Sequence, residues 1–384
     1  MLVVENRRGM FWTFLPIYAA NIGATNTQIG FILTLIIFVN SLGQVLWGRV
    51  SDMVGKRRPF VAFGEIFAGI VFLFLANVNE VMLLTLLLAL LEAVWSMGNP
   101  TWDALISELS EENERGEVMG KLSTVGGVGR IVGVPLAGIL IKFYGFSVLF
   151  YLSSLLMFLA AATVIWIPES HKPHLIPGAF RLSSLSLQNL KGEYAKNKNF
   201  SLFTALVTAR EFSTGLFAML VPLYITRLGA NTFEVSVVVV IGAIATTLLM
   251  TPAGRLVDRV GKTRIMEYSL LCGSFSILLY SLASGWQFLI FVSIVEGVAW
   301  AAQWTSWFSL LSALSPVERR ATFMGFHNMI VGFSWTFAPV FGGYLSDVVG
   351  LKYLFIISFA LSMVPNLAFM QWAGRNREEL EGNN

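Results

Sequence analysis

An eleven-residue segment, Gly48-Arg49-Val50-Ser51-Asp52-Met53-Val54-Gly55-Lys56-Arg57-Arg58, returns 206 residues later as Gly254-Arg255-Leu256-Val257-Asp258-Arg259-Val260-Gly261-Lys262-Thr263-Arg264, with seven of the eleven positions identical. Both copies stand between long apolar runs, so each reads as a tight charged turn joining two helices, and the chain reads as one unit written twice. The repeat extends beyond the turn. Leu15-Pro16-Ile17-Tyr18 matches Val221-Pro222-Leu223-Tyr224, Glu92 matches Glu296, and Pro135 matches Pro339, all at offsets of 204 to 206. Internal duplication of a hydrophobic bundle marks many secondary transporters.

Composition names the solvent of these runs. Hydrophobic residues make up 55% of the chain and charged residues 13%, about half the charge of a soluble protein. A bilayer-crossing helix needs about 20 mostly apolar residues, and only helices satisfy every backbone group within one such segment. The runs are continuous rather than alternating, which excludes a membrane barrel. Twelve spans are expected, near 1–22, 28–48, 59–77, 81–106, 119–142, 147–167, 201–226, 233–254, 265–284, 286–311, 321–345 and 350–373. The fold class is therefore an all-α membrane protein with two six-helix halves, residues 1–167 and 201–373, a polar linker at 168–200 and a tail at 374–384.

Of the 26 Lys and Arg, 19 fall in turns on the face that carries the repeated motif, three on the opposite face, and four (Arg7, Arg8, Arg130 and Arg210) within or at the edge of spans. This asymmetry places the motif face, and with it both termini, on the cytoplasmic side of the cell membrane. The charge is not gathered on a soluble module, so nucleic acid is not expected as a partner. The single Cys272 forms neither a disulfide framework nor a zinc quartet. From Gly9 to Ile22 there are only fourteen residues, too few to cross the core, so Glu5, Arg7 and Arg8 belong to the first span or its mouth, unless the native chain starts earlier than Met1.

The turn motif resembles the signature of the major facilitator superfamily. The pattern Gly-x-x-x-Asp-x-x-Gly-Lys/Arg-Lys/Arg is complete at Gly48, Asp52, Gly55, Lys56 and Arg57. It recurs at Gly254, Asp258, Gly261 and Lys262 but departs from the family at Thr263, where a second basic residue would stand. Asp52 and Asp258 each sit at a helix C-terminus, where the macrodipole disfavours their ionised form, so each needs a positive partner. The resemblance implies that this partner is a helix N-terminus of the other half and that the pair latches the cytoplasmic gate. It also implies a monomeric facilitator fold that moves a small molecule by alternating access.

Ionisable groups inside spans are costly and therefore informative. Glu92, Trp95, Ser96, Asn99 and Asp103 form a polar stripe on the fourth span, and Glu296, Trp300, Gln303, Trp304 and Trp307 form another on the tenth. Both stripes are expected to face a cavity. Arg130 lies at a depth where it can meet Glu92. Arg210 and Glu211 are neighbours on the seventh span and point about 100° apart, so only one of them is expected to face the cavity. Glu65 and Glu267, nearer span ends, are expected to be interfacial, and His327 to be a packing donor. Gly126, Gly127, Gly129, Gly133, Pro135 and Gly138 on the fifth span are similar to the antiporter signature of the superfamily, although Val134 separates the Gly-Pro pair. There is no nucleotide-binding loop, metal-ligand set or nucleophile with its base, so no cofactor and no enzymatic activity are expected. The function read from these residues is proton-coupled efflux of amphipathic compounds, with Glu92, Trp95, Asn99, Arg130, Arg210, Glu211, Glu296, Trp300, Gln303 and Trp304 as the substrate or proton site. Uptake of a sugar or organic anion by symport, supported by Arg130 and Arg210, is the alternative.

Overall fold

The computed structural model describes residues 2–98, 101, 115–164, 166, 197–316 and 319–381, and the regular elements among them are all helices. Asn99, Asp103 and most of the predicted linker lie outside these residues. In chain order the helices are α1 (Leu2–Asn21), α2 (Asn26–Val54), α3 (Arg58–Leu75), α4 (Val81–Trp95), α5 (Arg115–Tyr144), α6 (Phe146–Val164), α7 (Lys198–Ala218), α8 (Val221–Arg227), α9 (Thr232–Val260), α10 (Lys262–Leu282), α11 (Trp286–Leu314), α12 (Arg320–Val349), α13 (Leu351–Arg375) and α14 (Arg377–Glu381). Each of the twelve predicted spans has its helix, and nine helical stretches among the described residues are long and apolar enough by themselves to cross a bilayer.

The helices group into two compact units, the first holding α1–α6 with residues 230–236, the second α7, α8 and the chain from 237 onward. In the first unit α1 packs on α5, α3 on α6 and α2 on α4. The second repeats two of these pairings, α7 on α12 and α10 on α13. Its core joins Phe200, Phe203 and Val207 of α7 to Trp307, Leu310 and Leu311 of α11, Phe323 of α12 and Phe369 and Trp372 of α13.

The duplication is written into the backbone. Among the described residues six glycines have positive φ, and they form three pairs: Gly23 and Gly229 (92° and 90°), Gly55 and Gly261 (68° and 105°), Gly145 and Gly350 (81° and 87°). Each pair closes the same turn in its half, a conformation that a Cβ disfavours. The helices that follow the first pair start on the same device built from different residues. Thr25 Oγ1 accepts from Gln28 N at 3.2 Å while Gln28 Oε1 accepts from Thr25 N at 2.9 Å. Asn231 Oδ1 likewise accepts from Glu234 N at 3.1 Å and Glu234 Oε2 from Asn231 N at 2.7 Å. Both are capping boxes, which satisfy amides left open by the first helical turn. Tyr18 donates to the carbonyls of Leu75, at 3.3 Å, and of Val78, and its counterpart Tyr224 donates to Tyr280 O at 3.0 Å.

Two expectations are corrected. The eleven-residue motif is not a turn throughout: residues 48–54 and 254–260 continue α2 and α9, and the reversal is confined to the residues around Gly55 and Gly261. Charged residues continue a helix as readily as apolar ones, so hydropathy underestimates these two helices. The seventh span is two helices, α7 and α8, interrupted at Met219 and Leu220, because Pro222 occupies the first turn of α8 and supplies no N–H to bond back into α7. Within the tail, Arg377–Glu381 is helical and Leu380 is buried in the core of the second unit.

Candidate functional site

The second unit holds most of the predicted polar groups. Glu296 Oε2 accepts from the Tyr280 hydroxyl at 2.6 Å. This carboxylate lines a cavity of about 290 Å³ whose other walls include Val221, Pro222, Ile225, Val238, Val239, Thr246 and Trp300. The kink between α7 and α8 brings Val221, Pro222 and Ile225 to this wall, so the broken span shapes the cavity. The chamber is mostly apolar and offers one carboxylate, one phenol, one indole face and the hydroxyl-bearing Thr246 and Ser293, the few placed polar groups of a small-molecule site.

A second cluster is sealed. Arg210 and Glu211 are both buried and meet each other, Nη1 to Oε1 at 3.3 Å. The 100° divergence of the two Cα–Cβ vectors does not keep them apart: the long arginine side chain bends along its helix, also bonding Thr214, and reaches Glu211. Gly273 makes room for it, because a Cβ there would lie 2.9 Å from Arg210 Nη2. The Glu211 carboxylate is further bound by Gln303 Nε2 at 3.0 Å and Trp335 Nε1 at 3.1 Å. Three polar partners, Thr214 of α7, Gln303 of α11 and Trp335 of α12, thus meet on one buried ion pair, which lowers the cost of holding charge in a low-dielectric interior.

The tryptophan stripe of α11 divides. Trp300 faces the cavity and stacks on Trp304 at 6.1 Å between ring centroids, while Trp304 is exposed. Trp307 turns into the core, where its Nε1 donates to His327 Nε2 at 2.8 Å. Because indole nitrogen only donates, Nε2 is the acceptor and the imidazole carries its proton on Nδ1, 2.9 Å from Thr204 Oγ1. His327 is thus a packing group, stacked on Phe203.

In the first unit Glu92 is buried and accepts from Asn40 Nδ2 at 2.6 Å, and Gln44 Nε2 donates to Asn40 Oδ1 at 2.6 Å. Asn40 is the counterpart of Thr246, which borders the Glu296 cavity, so the two carboxylates occupy equivalent places. Trp95 is buried, and Arg130 is exposed on α5 with its side chain against Gly9 of α1. Glu65 and Glu267, expected to be interfacial, are buried as well. Each lies inside its helix rather than at the end, since α3 and α10 begin several residues before them.

Of the gate residues, Gly48 and Asp52 lie on α2 and Gly55, Lys56 and Arg57 in the reversal, where Arg57 Nη1 donates to Ser51 Oγ at 2.8 Å. The Asp52 side chain falls outside what is described. Asp258, Gly261 and Lys262 border a charged cavity of about 680 Å³ together with Arg259, Arg264, Arg377, Glu378 and Glu381. Burial works to raise the Glu381 carboxyl, but bonds from the Thr263 side chain and from the Thr263 and Lys262 amides, with the Lys262 charge, outweigh it and hold it below its ordinary range. The Glu381 contact is therefore intact above the carboxylate range and is lost only as pH falls through that lowered value.

Sequence reasoning missed Tyr280, Trp335, Thr214 and Asn40. Only Asn40 carried a signal, as an amide within an apolar run at the register of Thr246.

Comparison with known proteins agrees with this architecture. The Major Facilitator Superfamily model matches residues 2–266 and 210–383. An MFS-type transporter of Methanocaldococcus jannaschii is 25% identical over 364 residues, covering 94% of this chain and 92% of that protein. The multidrug resistance protein MdtG of Escherichia coli O9:H4 is 24% identical over 370 residues, covering 90% and 85%. Among solved structures, a nucleoside transporter NupG mutant superposes with TM-score 0.77 at 16% identity, covering 96% of this chain and 98% of that one. A bacterial homologue of the lysosomal transporter Spinster gives 0.78 at 13% identity, covering 97% and 94%. With its signature turn written twice, its paired glycine reversals and a family match along nearly its whole length, the chain belongs to the major facilitator superfamily and is a multi-pass membrane transporter, not an enzyme.

Proposed function

We propose that the protein exports amphipathic compounds across the cytoplasmic membrane in exchange for protons, with the Glu296 cavity as part of its substrate path. The observation that carries this reading is the cavity itself: about 290 Å³ with apolar walls, the Trp300 face and a single carboxylate. That lining suits a flat, partly apolar molecule better than a sugar, which needs many polar partners. Relatives described as multidrug resistance proteins support the same direction. Organic-anion uptake would draw on Arg210, and that guanidinium is already engaged by Glu211 and Thr214. Glu92, Trp95, Asn99 and Arg130 are assigned to the corresponding path in the first half.

In this reading residues 1–167 and 201–373 are the two moving halves, joined by a linker at 168–200, and the protein works as a monomer with both termini in the cytoplasm. Asp52 and Asp258 latch the cytoplasmic gate. Glu296 carries the proton, and substrate and proton compete for it.

Ethidium binding to the purified protein tests the cavity assignment. Trp300→Ala and Glu296→Gln should each weaken binding about five- to tenfold, the range of a desolvated cation–π or charge contact. Wild-type affinity in both variants would remove the cavity from the path.

A further inference from the structure

The second signature turn lacks the family's basic residue at Thr263, and the C-terminal segment stands where something must compensate. α10 begins at Lys262 behind Gly261, with no side-chain cap of its own. Its first amides are bound instead by a residue 119 positions away: Glu381 Oε2 accepts from Lys262 N at 3.1 Å and Oε1 from Thr263 N at 2.9 Å. The Thr263 hydroxyl also donates to Oε1, and Thr263 is fully buried. A carboxylate there meets two of the open amides and the positive end of the helix dipole. The fit is close, since a Cβ on Gly261 would lie 2.9 Å from Glu381 Oε1.

One turn away the contact is repeated with charges reversed. Arg377 Nη2 bonds both oxygens of Glu267, at 2.8 and 3.0 Å. Glu381 and Arg377 are four residues apart, as are Thr263 and Glu267, so each pair lies on one helix face. Leu380 anchors the segment by its burial in the core. Beside the clip the 680 Å³ cavity admits water to its charged groups, which keeps the contact moderate enough to open and close.

We propose that Glu381 and Arg377 are positioning residues for the gate: they clip the tail onto the second signature turn, hold Asp258 and Arg259 in their gate-closing arrangement, and so set the balance between the two transport states. This rests on the alternating-access reading above. In this half the chain's own tail takes over the bracing role that the missing basic residue at Thr263 leaves open.

Spin-label distances across the motif-bearing end test the clip in the full-length protein, with Met53→Cys and Leu256→Cys in a Cys272→Ser background. Both sites are exposed. Glu381→Ala and Arg377→Ala should shift the population toward the wider separation by at least about fivefold. Thr263→Val, which removes one bond, should give a smaller shift in the same direction, and exchanging the charges in Arg377→Glu with Glu267→Arg should restore the original distribution. A merely structural tail predicts lower melting temperatures with superimposable distributions, and that result in both Glu381→Ala and Thr263→Val would overturn the clip. Failure of the transport reading appears separately, as absence of ethidium transport by the otherwise unmodified protein.

Discussion

Arg210 and Glu211 occupy adjacent positions on α7, and sequence alone separates them by 100° of helix. Their meeting was not legible because it depends on the reach of a three-methylene side chain and on the space left by Gly273. Glu92, which is buried, and Glu296, which is half-buried beside its cavity, were legible as carboxylates inside spans, for an ionised group within an apolar run has few other uses. Tyr280, the partner of Glu296, and Trp335, a partner of Glu211, were not legible, because each comes from a helix that only tertiary packing brings near. The Arg210–Glu211 pair should behave as a brace. Arg210→Met alone leaves a carboxylate buried without its charge partner and should cost about 3–5 kcal/mol, whereas adding Glu211→Leu should recover most of that loss. A double-mutant cycle on unfolding in mixed micelles measures the coupling. Equal destabilisation by the single and double replacements would contradict a brace.

At the scale of elements, each expected span has its helix among the described residues, but α4 ends at Trp95 where the fourth span was expected to run on to 106, and other differences fall where hydropathy is blind. α2 and α9 run on through charged residues to Val54 and Val260, and the seventh span breaks before Pro222. The capping boxes explain why the turns kept their geometry while their residues diverged: Thr25 with Gln28 and Asn231 with Glu234 satisfy the same amides by different side chains. Thr25→Ala and Asn231→Ala should therefore destabilise the protein by similar amounts, about 1 kcal/mol each. Thermal melts of the two variants check this, and a loss confined to one half would show that the boxes are not equivalent. The tail clip had no signature in the sequence, since a cap supplied from 119 residues away leaves no local spacing to find.

For the whole molecule, the doubled turn marks the machine, and the two copies are braced differently. The first keeps its basic residue Arg57, bonded to Ser51, and the second has Thr263 and the carboxylate of Glu381. Glu92 and Glu296 are likewise equivalent in place and different in setting, one bound by an amide and the other by a phenol at an apolar cavity. That difference assigns proton exchange and substrate contact to Glu296 in the proposed cycle. Ethidium transport in proteoliposomes, with and without an acid-inside pH gradient, tests this most directly. The account predicts gradient-driven ethidium accumulation by the wild type that falls at least about tenfold in Glu296→Gln, while gradient-free exchange persists. Undiminished gradient-driven accumulation in Glu296→Gln, and in Glu92→Gln beside it, would contradict it.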